Sequence, residues 1–255
     1  GAGSAQTINN GIDLAGEGGM VWFKKRDTPT QGHGLFDTER TNGTYKFLQS
    51  AATDAEFTDS GQAASGGITP NSNGFTRNSG SYFGGSGDGT GGTYVSWTFR
   101  KAPKFFSVVT YTGTGVAGRT VAHNLGSVPG AMIVKSTSNA TVWAVYHQST
   151  GNTKALRLDS TAAAATSLYK WNNTSPTDTV FTVGDDESVN YSGQTYVAYL
   201  FAHDAGGFGD DGEQNVISCG LGTGSTVTTL GYEPQWVITK KASGGAWYMT
   251  DVMRG

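Results

Sequence analysis

The chain has 255 residues, enough for one large domain or several small ones. Glycine supplies 39 of them, about twice the usual share, and only 15% are charged against about 25% in ordinary domains, which excludes a charge-rich helical or disordered chain. The net charge of −3, with no Lys/Arg stripe beyond Lys24–Arg26, gives nucleic acid no footing. No apolar run is long enough to span a bilayer, and a lone cysteine, Cys219, excludes an internal disulfide framework.

Taken in chain order, apolar and β-branched runs bounded by Gly, Asn, Ser and Asp predict strands over 5–8, 20–25, 33–37, 44–49, 74–77, 93–100 and 105–112. A second series follows over 118–123, 131–136, 142–147, 154–158, 179–183, 194–202 and 214–219. The alanines of Ser160–Leu168 (STAAAATSL) carry no amphipathic stripe, so a loop or a single turn is expected there. Seven or so short strands per series, closely spaced, predict an all-β fold of β-sandwich, jelly-roll-like units.

The second series repeats the first, and a third copy begins after it. Leu125–His147 (LGSVPGAMIVKSTSNATVWAVYH) recurs as Leu230–Asp251 (LGYEPQWVITKKASGGAWYMTD), with Lys135 and Lys240 aligned at 240 − 135 = 105. Leu14–Lys25 is a weaker copy, in which Lys24 precedes Lys135 by 135 − 24 = 111. Thr93–Phe99 (TYVSWTF) matches Thr195–Phe201 (TYVAYLF) at 195 − 93 = 102. Drifting offsets mean that insertions fall in loops while strands keep their order. The repeat divides the chain into tandem units 1–112, 113–221 and an incomplete 222–255, and suggests a fragment of a longer protein. The apolar positions Trp236, Ile238, Trp247 and Met249 of the last unit are expected to pack on unit 2 or on another subunit.

Motifs that suggest chemistry are weak. Gly113–Gly118 (GTGVAG) fits the dinucleotide fingerprint, but a strand-like RTVAHNLG follows where a helix is needed, and its sister copies read GAGSAQ and GTGSTV. It reads as a turn between units, with positive φ expected at the glycines. The acidic runs Asp185–Glu187 and Asp210-Asp211 lack calcium-loop spacing and read as solvated turns. His147 aligns with Asp37 and Asp251, an interchange that a metal or catalytic histidine would not tolerate. Cys219 aligns with Tyr111, a packing position. No metal site, cofactor or catalytic residue is therefore expected. Trp97, Trp143, Trp236 and Trp247 lie at strand positions of the repeat and read as core. Trp171, in the polar stretch YKWNNTSPT, and Tyr82, Phe83 and Tyr191 in the divergent connections are the candidate ligand contacts, because exposed rings stack on sugars or fill a partner's pocket.

Phe99–Gly115 (FRKAPKFFSVVTYTGTG), Arg119–Lys135, Trp143–His147, Trp171–Gly184 and Thr195–Asp204 together resemble a repeat of tail-fibre-like and virion structural proteins of tailed bacteriophages, particularly of marine and cyanobacterial hosts. The resemblance implies a non-enzymatic virion component in the phage tail or fibre, in contact with other tail or capsid proteins and contributing to host-surface adhesion. It brings no catalytic residues, and the first unit departs from it by carrying GEGG (Gly16–Gly19) where the second has its Pro129 turn. Phage fibres are commonly trimers, so a homotrimer is expected, with a host cell-surface glycan as a possible ligand and no nucleic acid or membrane insertion. The alternatives are a free-standing lectin-like glycan-binding module and a tail-spike polysaccharide depolymerase, which would need a carboxylate pair in a groove.

Overall fold

The computed structural model describes residues 5–27, 32–40, 46–58, 67–78, 92–223 and 229–252, and its fold is all-β. In the first third, β1 (Gln6–Asn9), β2 (Gly19–Lys25), β3 (Gly34–Asp37), β4 (Lys46–Gln49), β5 (Phe57–Thr58), β6 (Ile68–Asn71), β7 (Gly74–Arg77) and β8 (Tyr94–Arg100) form two antiparallel sheets. Their orders are β5-β4-β3-β2-β8 and β1-β7-β6. Next come β9 (Phe106–Thr112), β10 (Arg119–Ala122), β11 (Pro129–Ser136), β12 (Ala144–His147), β13 (Lys154–Arg157), β14 (Ala165–Thr166), the single turn α1 (Leu168–Trp171), β15 (Val180–Val183), the turn α2 (Glu187–Asn190) and β16 (Thr195–Ala202). These give β14-β13-β12-β11-β16-β9 and β10-β15. A hairpin of β17 (Trp236–Lys240) and β18 (Trp247–Asp251) follows.

Strand order and register repeat with the sequence. Met20 faces Asp37, Ala131 faces His147 and Trp236 faces Asp251. On the other side, Lys24 faces Val95 of β8 and Lys135 faces Val197 of β16. These are the partners that offsets 111 and 102 imply, so one side-chain alternation specifies one register in each copy.

Two segments depart from expectation. Phe106–Thr112, placed by sequence at the end of the first unit, pairs along β16 of the second. A tight corner swings it there: the Ala102 amide donates to the Phe106 carbonyl (3.0 Å), and Lys104 adopts φ 62° while its amide donates to the Leu125 carbonyl (2.6 Å). Gln214–Cys219, expected as a strand, forms none beyond a single bridge from Gln214 to Phe208. Its counterpart is β9, and both edges of β16 are already taken by β11 and β9. The segment instead crosses the end of β16, with the Asp204 amide bonded to the Ile217 carbonyl (3.1 Å) and the Cys219 amide to His203 Nδ1 (3.1 Å).

The large sheets are buried on both faces, which explains runs such as GMVWFKK and PGAMIVKS that are apolar nearly throughout. Val21 and Phe23 face away from the centre and pack with Phe36 and Phe47 against Phe75 and Ile8 of the small sheet. Met132, Val134, Tyr196 and Leu200 pack outward in the same way against Val121, Phe181 and Val183. The inward faces meet in one cluster common to all three copies: Met20, Trp22 and Phe99 from the first, Ile133, Val145 and Tyr199 from the second, and Trp236, Ile238 and Met249 from the hairpin. Tryptophan Nε1 groups stitch the copies together. Trp143 donates to the carbonyls of Gln49 (3.1 Å) and Ala52 (3.0 Å), Trp247 to that of Arg157 (2.8 Å), and Trp97 to Asp251 Oδ2 (3.2 Å).

Candidate functional site

The repeated lysine is the one charged side chain common to every copy, and burial decides its role. Lys135 is wholly buried, and its ammonium donates to the carbonyls of Ser136 (2.9 Å) and Asn139 (3.3 Å), tying the loop after β11 to the strand end. Lys240 does the same for the hairpin, donating to Gly245 (2.7 Å) and to Ser160 of the second unit (2.9 Å), and lies 5.4 Å above the Trp247 ring. Burial lowers the Lys135 pKa to about 8, opposed by the charges of Asp159 and Asp54, and burial lowers those of Lys240 and Lys24 as well. With no solvent access, Lys135 is a loop staple and not a reactive amine.

The position that reads Asp37, His147 and Asp251 serves three local purposes. Asp37 Oδ2 accepts from Arg40 Nε (2.6 Å) and from the Tyr199 hydroxyl (2.7 Å), so a buried charge pair in the first unit reaches into the second. Arg40 also donates to Glu56 Oε2 (2.7 Å) and the Tyr199 hydroxyl (3.1 Å). Burial would lower the Arg40 pKa, but the charges of Asp37, Tyr199 and Glu56 raise it well beyond its normal value, so the guanidinium stays charged. Burial, followed by the charge of His203, pushes the His147 pKa down. Asp251 accepts from Trp97. Cys219 is a buried free thiol whose Sγ lies 3.4 Å from the Ala202 carbonyl, and burial together with the Asp204 charge pushes its pKa up to about 12. It is a packing residue, as its alignment with Tyr111 suggests.

At one end of the second unit the turn 113–118, α1 and α2 are bound together and carry the exposed side chains of Val116, Leu168 and Tyr169, with Tyr191 just beyond α2. Asn190 is the buried hub: its Nδ2 donates to the carbonyls of Gly184 (2.7 Å) and Val116 (2.9 Å), and its Oδ1 accepts from the Thr114 amide (2.8 Å). Asp186 caps α2 through the Ser188 amide (2.8 Å), and Lys170 spans from α1 to Asp186 (2.6 Å) and the Ser188 hydroxyl (2.6 Å). Burial would raise the Asp186 pKa, but Lys170 and the Ser188 donors hold it below the ordinary carboxylate value. The Tyr196 hydroxyl donates to the Glu187 carbonyl (2.6 Å) and accepts from the Tyr191 amide (2.8 Å). GTGVAG is the expected turn, although only Gly115 and Gly118 have positive φ. Gly113 is required for another reason, since a Cβ there would strike the Tyr191 carbonyl.

On this frame Tyr191 is 55% exposed. Trp171 is corrected: it is fully buried, donates Nε1 to the Lys154 carbonyl (3.1 Å) and meets the Tyr146 ring edge-on, so no ligand can stack on it. The polar stretch around it folds over the end of the second core, and the indole plugs that end. Tyr82 and Phe83 lie outside the described residues. Sequence reasoning missed Tyr169, which is 60% exposed beside Leu168 on α1. A four-residue turn has no periodicity to say which of Tyr169 and Trp171 points outward. Val116, on the adjoining turn, is also exposed. Tyr169 and Tyr191 expose phenol faces suited to stacking and hydrogen bonding, and Asp185 and Glu187, on the same loops, are exposed as well. Among the described residues, no three His, Cys, Asp or Glu side chains gather as a metal-ligand group, and no helix is long and apolar enough to cross a membrane.

A family model described as "Domain of unknown function (DUF7483)" matches residues 1–255. No curated protein matches the chain, and no solved structure does.

Proposed function

The chain belongs to the DUF7483 family along its whole length, and from its architecture we propose that it is a non-enzymatic structural module of a tailed-phage virion, made of tandem β-sandwich units, that contributes to host-surface adhesion. One observation carries the reading. Three copies of one hairpin turn their inner faces into a common core, while Tyr169 and Tyr191, in connections of the second unit that differ from those of the first, face outward. A rigid β frame with divergent outward loops is a common design for binding surfaces. The phage assignment rests on the resemblance of Phe99–Gly115, Arg119–Lys135 and Thr195–Asp204 to virion repeats.

Within this reading, Tyr191 and Tyr169 are the contact residues, and the ligand class is a cell-surface glycan. Stacking on two phenol rings gives little affinity per site, so adhesion depends on many copies in one fibre, most simply a trimer. Two measurements test the proposal. Peptides of this chain should co-purify with density-banded particles of the phage that encodes it, and their absence would overturn the virion assignment. Tyr191→Ala with Tyr169→Ala should leave the melting temperature within a degree or two, because both rings are exposed, yet reduce adsorption of the purified protein to host cells. Unchanged adsorption would remove these residues from the account.

A further inference from the structure

The copies meet one another at the same positions twice. Strands β4 and β13 start 154 − 46 = 108 residues apart, and β5 and β14 start 165 − 57 = 108 apart. Where copies 1 and 2 join, Trp143 donates Nε1 to the Gln49 carbonyl (3.1 Å), and the Glu56 amide donates to the Thr137 carbonyl (2.9 Å). Where copies 2 and 3 join, Trp247 donates Nε1 to the Arg157 carbonyl (2.8 Å), and the Ala164 amide donates to the Ala242 carbonyl (2.8 Å). Each partner maps onto its counterpart. The differences 157 − 49 and 164 − 56 are both 108, while 247 − 143 = 104 and 242 − 137 = 105 are the offsets of the hairpin repeat. The junction is therefore head to tail, with one set of positions in each copy against a different set in the next.

Identical head-to-tail steps either run on as an open filament or close as a ring. Copies 1 and 3 decide between the two. Tyr199 of copy 2 donates its hydroxyl to Asp37 of copy 1 (2.7 Å), and Trp97 of copy 1 donates Nε1 to Asp251 of copy 3 (3.2 Å). Trp97 and Tyr199 share one repeat position at 199 − 97 = 102, and Asp37 and Asp251 share another. Copy 1 thus follows copy 3 as copy 2 follows copy 1. In a filament copy 3 would stand two steps from copy 1 and could not offer it this contact. Phe99 of copy 1 also meets the Trp236 ring of copy 3, with centroids 5.1 Å apart. Between them the two kinds of contact span all three junctions.

We propose that the repeat carries a self-recognition surface whose partner is another copy of the repeat, and that three copies close it into a ring inside one chain. The chain is then a single-chain trimer about an approximate threefold axis. No second chain is needed to close the ring, so chains that share a fibre meet through other surfaces. This inference is independent of the glycan reading, since it uses neither Tyr169 nor Tyr191.

The test follows the indole N–H signals of the 15N-labelled full chain. Asp251→Ala should move the Trp97 signal, assigned by its loss in Trp97→Phe, and leave the Trp143 signal in place. Asp251→Asn, which keeps an acceptor, should move the Trp97 signal less, and it gives the same reading if Asp251→Ala does not fold. To tell one chain from several, labelled wild type is mixed in urea with excess unlabelled Asp251→Asn and refolded. The wild-type Trp97 signal should return unchanged. A Trp97 signal indifferent to both Asp251 variants would overturn the closure of the ring. Appearance of the variant position in the mixed sample would overturn the single chain, because the acid would then come from another molecule.

Discussion

The second copy and the third begin with the same hairpin and end in different environments. In β11 the outward positions are Met132 and Val134, both sealed beneath β10 and β15. In β17 they are Val237 and Thr239, half-buried and exposed. The inward positions carry two apolar residues followed by the lysine in both, Ala131, Ile133 and Lys135 against Trp236, Ile238 and Lys240, and the register is identical. Register is therefore carried by the inner face, whereas outer-face chemistry records whether a second layer covers the sheet.

The sharpest way to break this comparison is a charge on the outer face. Val134→Asp should prevent folding or cost more than about 4 kcal/mol, since an unpaired carboxylate would be buried. Thr239→Asp, at the adjoining exposed position of β17, should stay within about 0.5 kcal/mol. Equal effects in urea titrations would show that the outer faces do not differ. The interchangeable position comes next. Asp37→Asn should cost about 2–3 kcal/mol, because it leaves the buried Arg40 with Glu56 as its remaining ion-pair partner. Asp251→Asn keeps an acceptor for Trp97 and should cost less than about 1 kcal/mol.

A smaller effect separates the lysines by pH. The folded pKa of Lys135, lowered from 10.5 to about 8, means that the unfolded chain holds more protons between those values. Stability should therefore rise with pH from about 8 toward 10, by at most ~3 kcal/mol. Lys135→Met should remove that rise, while Lys240→Met, in a less buried site, should remove less of it. A wild-type profile flat between pH 8 and 10 would contradict the assignment.

Much of this was legible in the sequence. The repeat offsets meant that a pairing across β2/β8 in one copy recurs across β11/β16 in the other, because strand registers follow two-residue alternation. The core roles of Trp97, Trp143 and Cys219 followed from their aligned partners. The losses have physical causes. Trp171 sits in a polar stretch, yet its indole plugs the core end, and local composition does not report which ring a four-residue turn sends inward. Tyr169 escaped for the same reason. The excursion of β9 onto β16 depends on a corner of a few residues around Lys104, a non-glycine with positive φ that no pattern announces. Strands β5 and β14, two residues each, are too short for any periodicity. The Asp37–Arg40–Tyr199 contact joins residues 162 apart, and nothing local marks it.

The central claim is that all three copies close around a single core and unfold together. Denaturant-dependent hydrogen exchange of the ladder amides of β2, β11 and β17 tests it most directly. The account expects the three sets to merge into one global unfolding isotherm as denaturant rises, with Trp236→Ala lowering that isotherm for β2 and β11 as well as β17. Three separate isotherms, or a Trp236→Ala effect confined to β17, would contradict it.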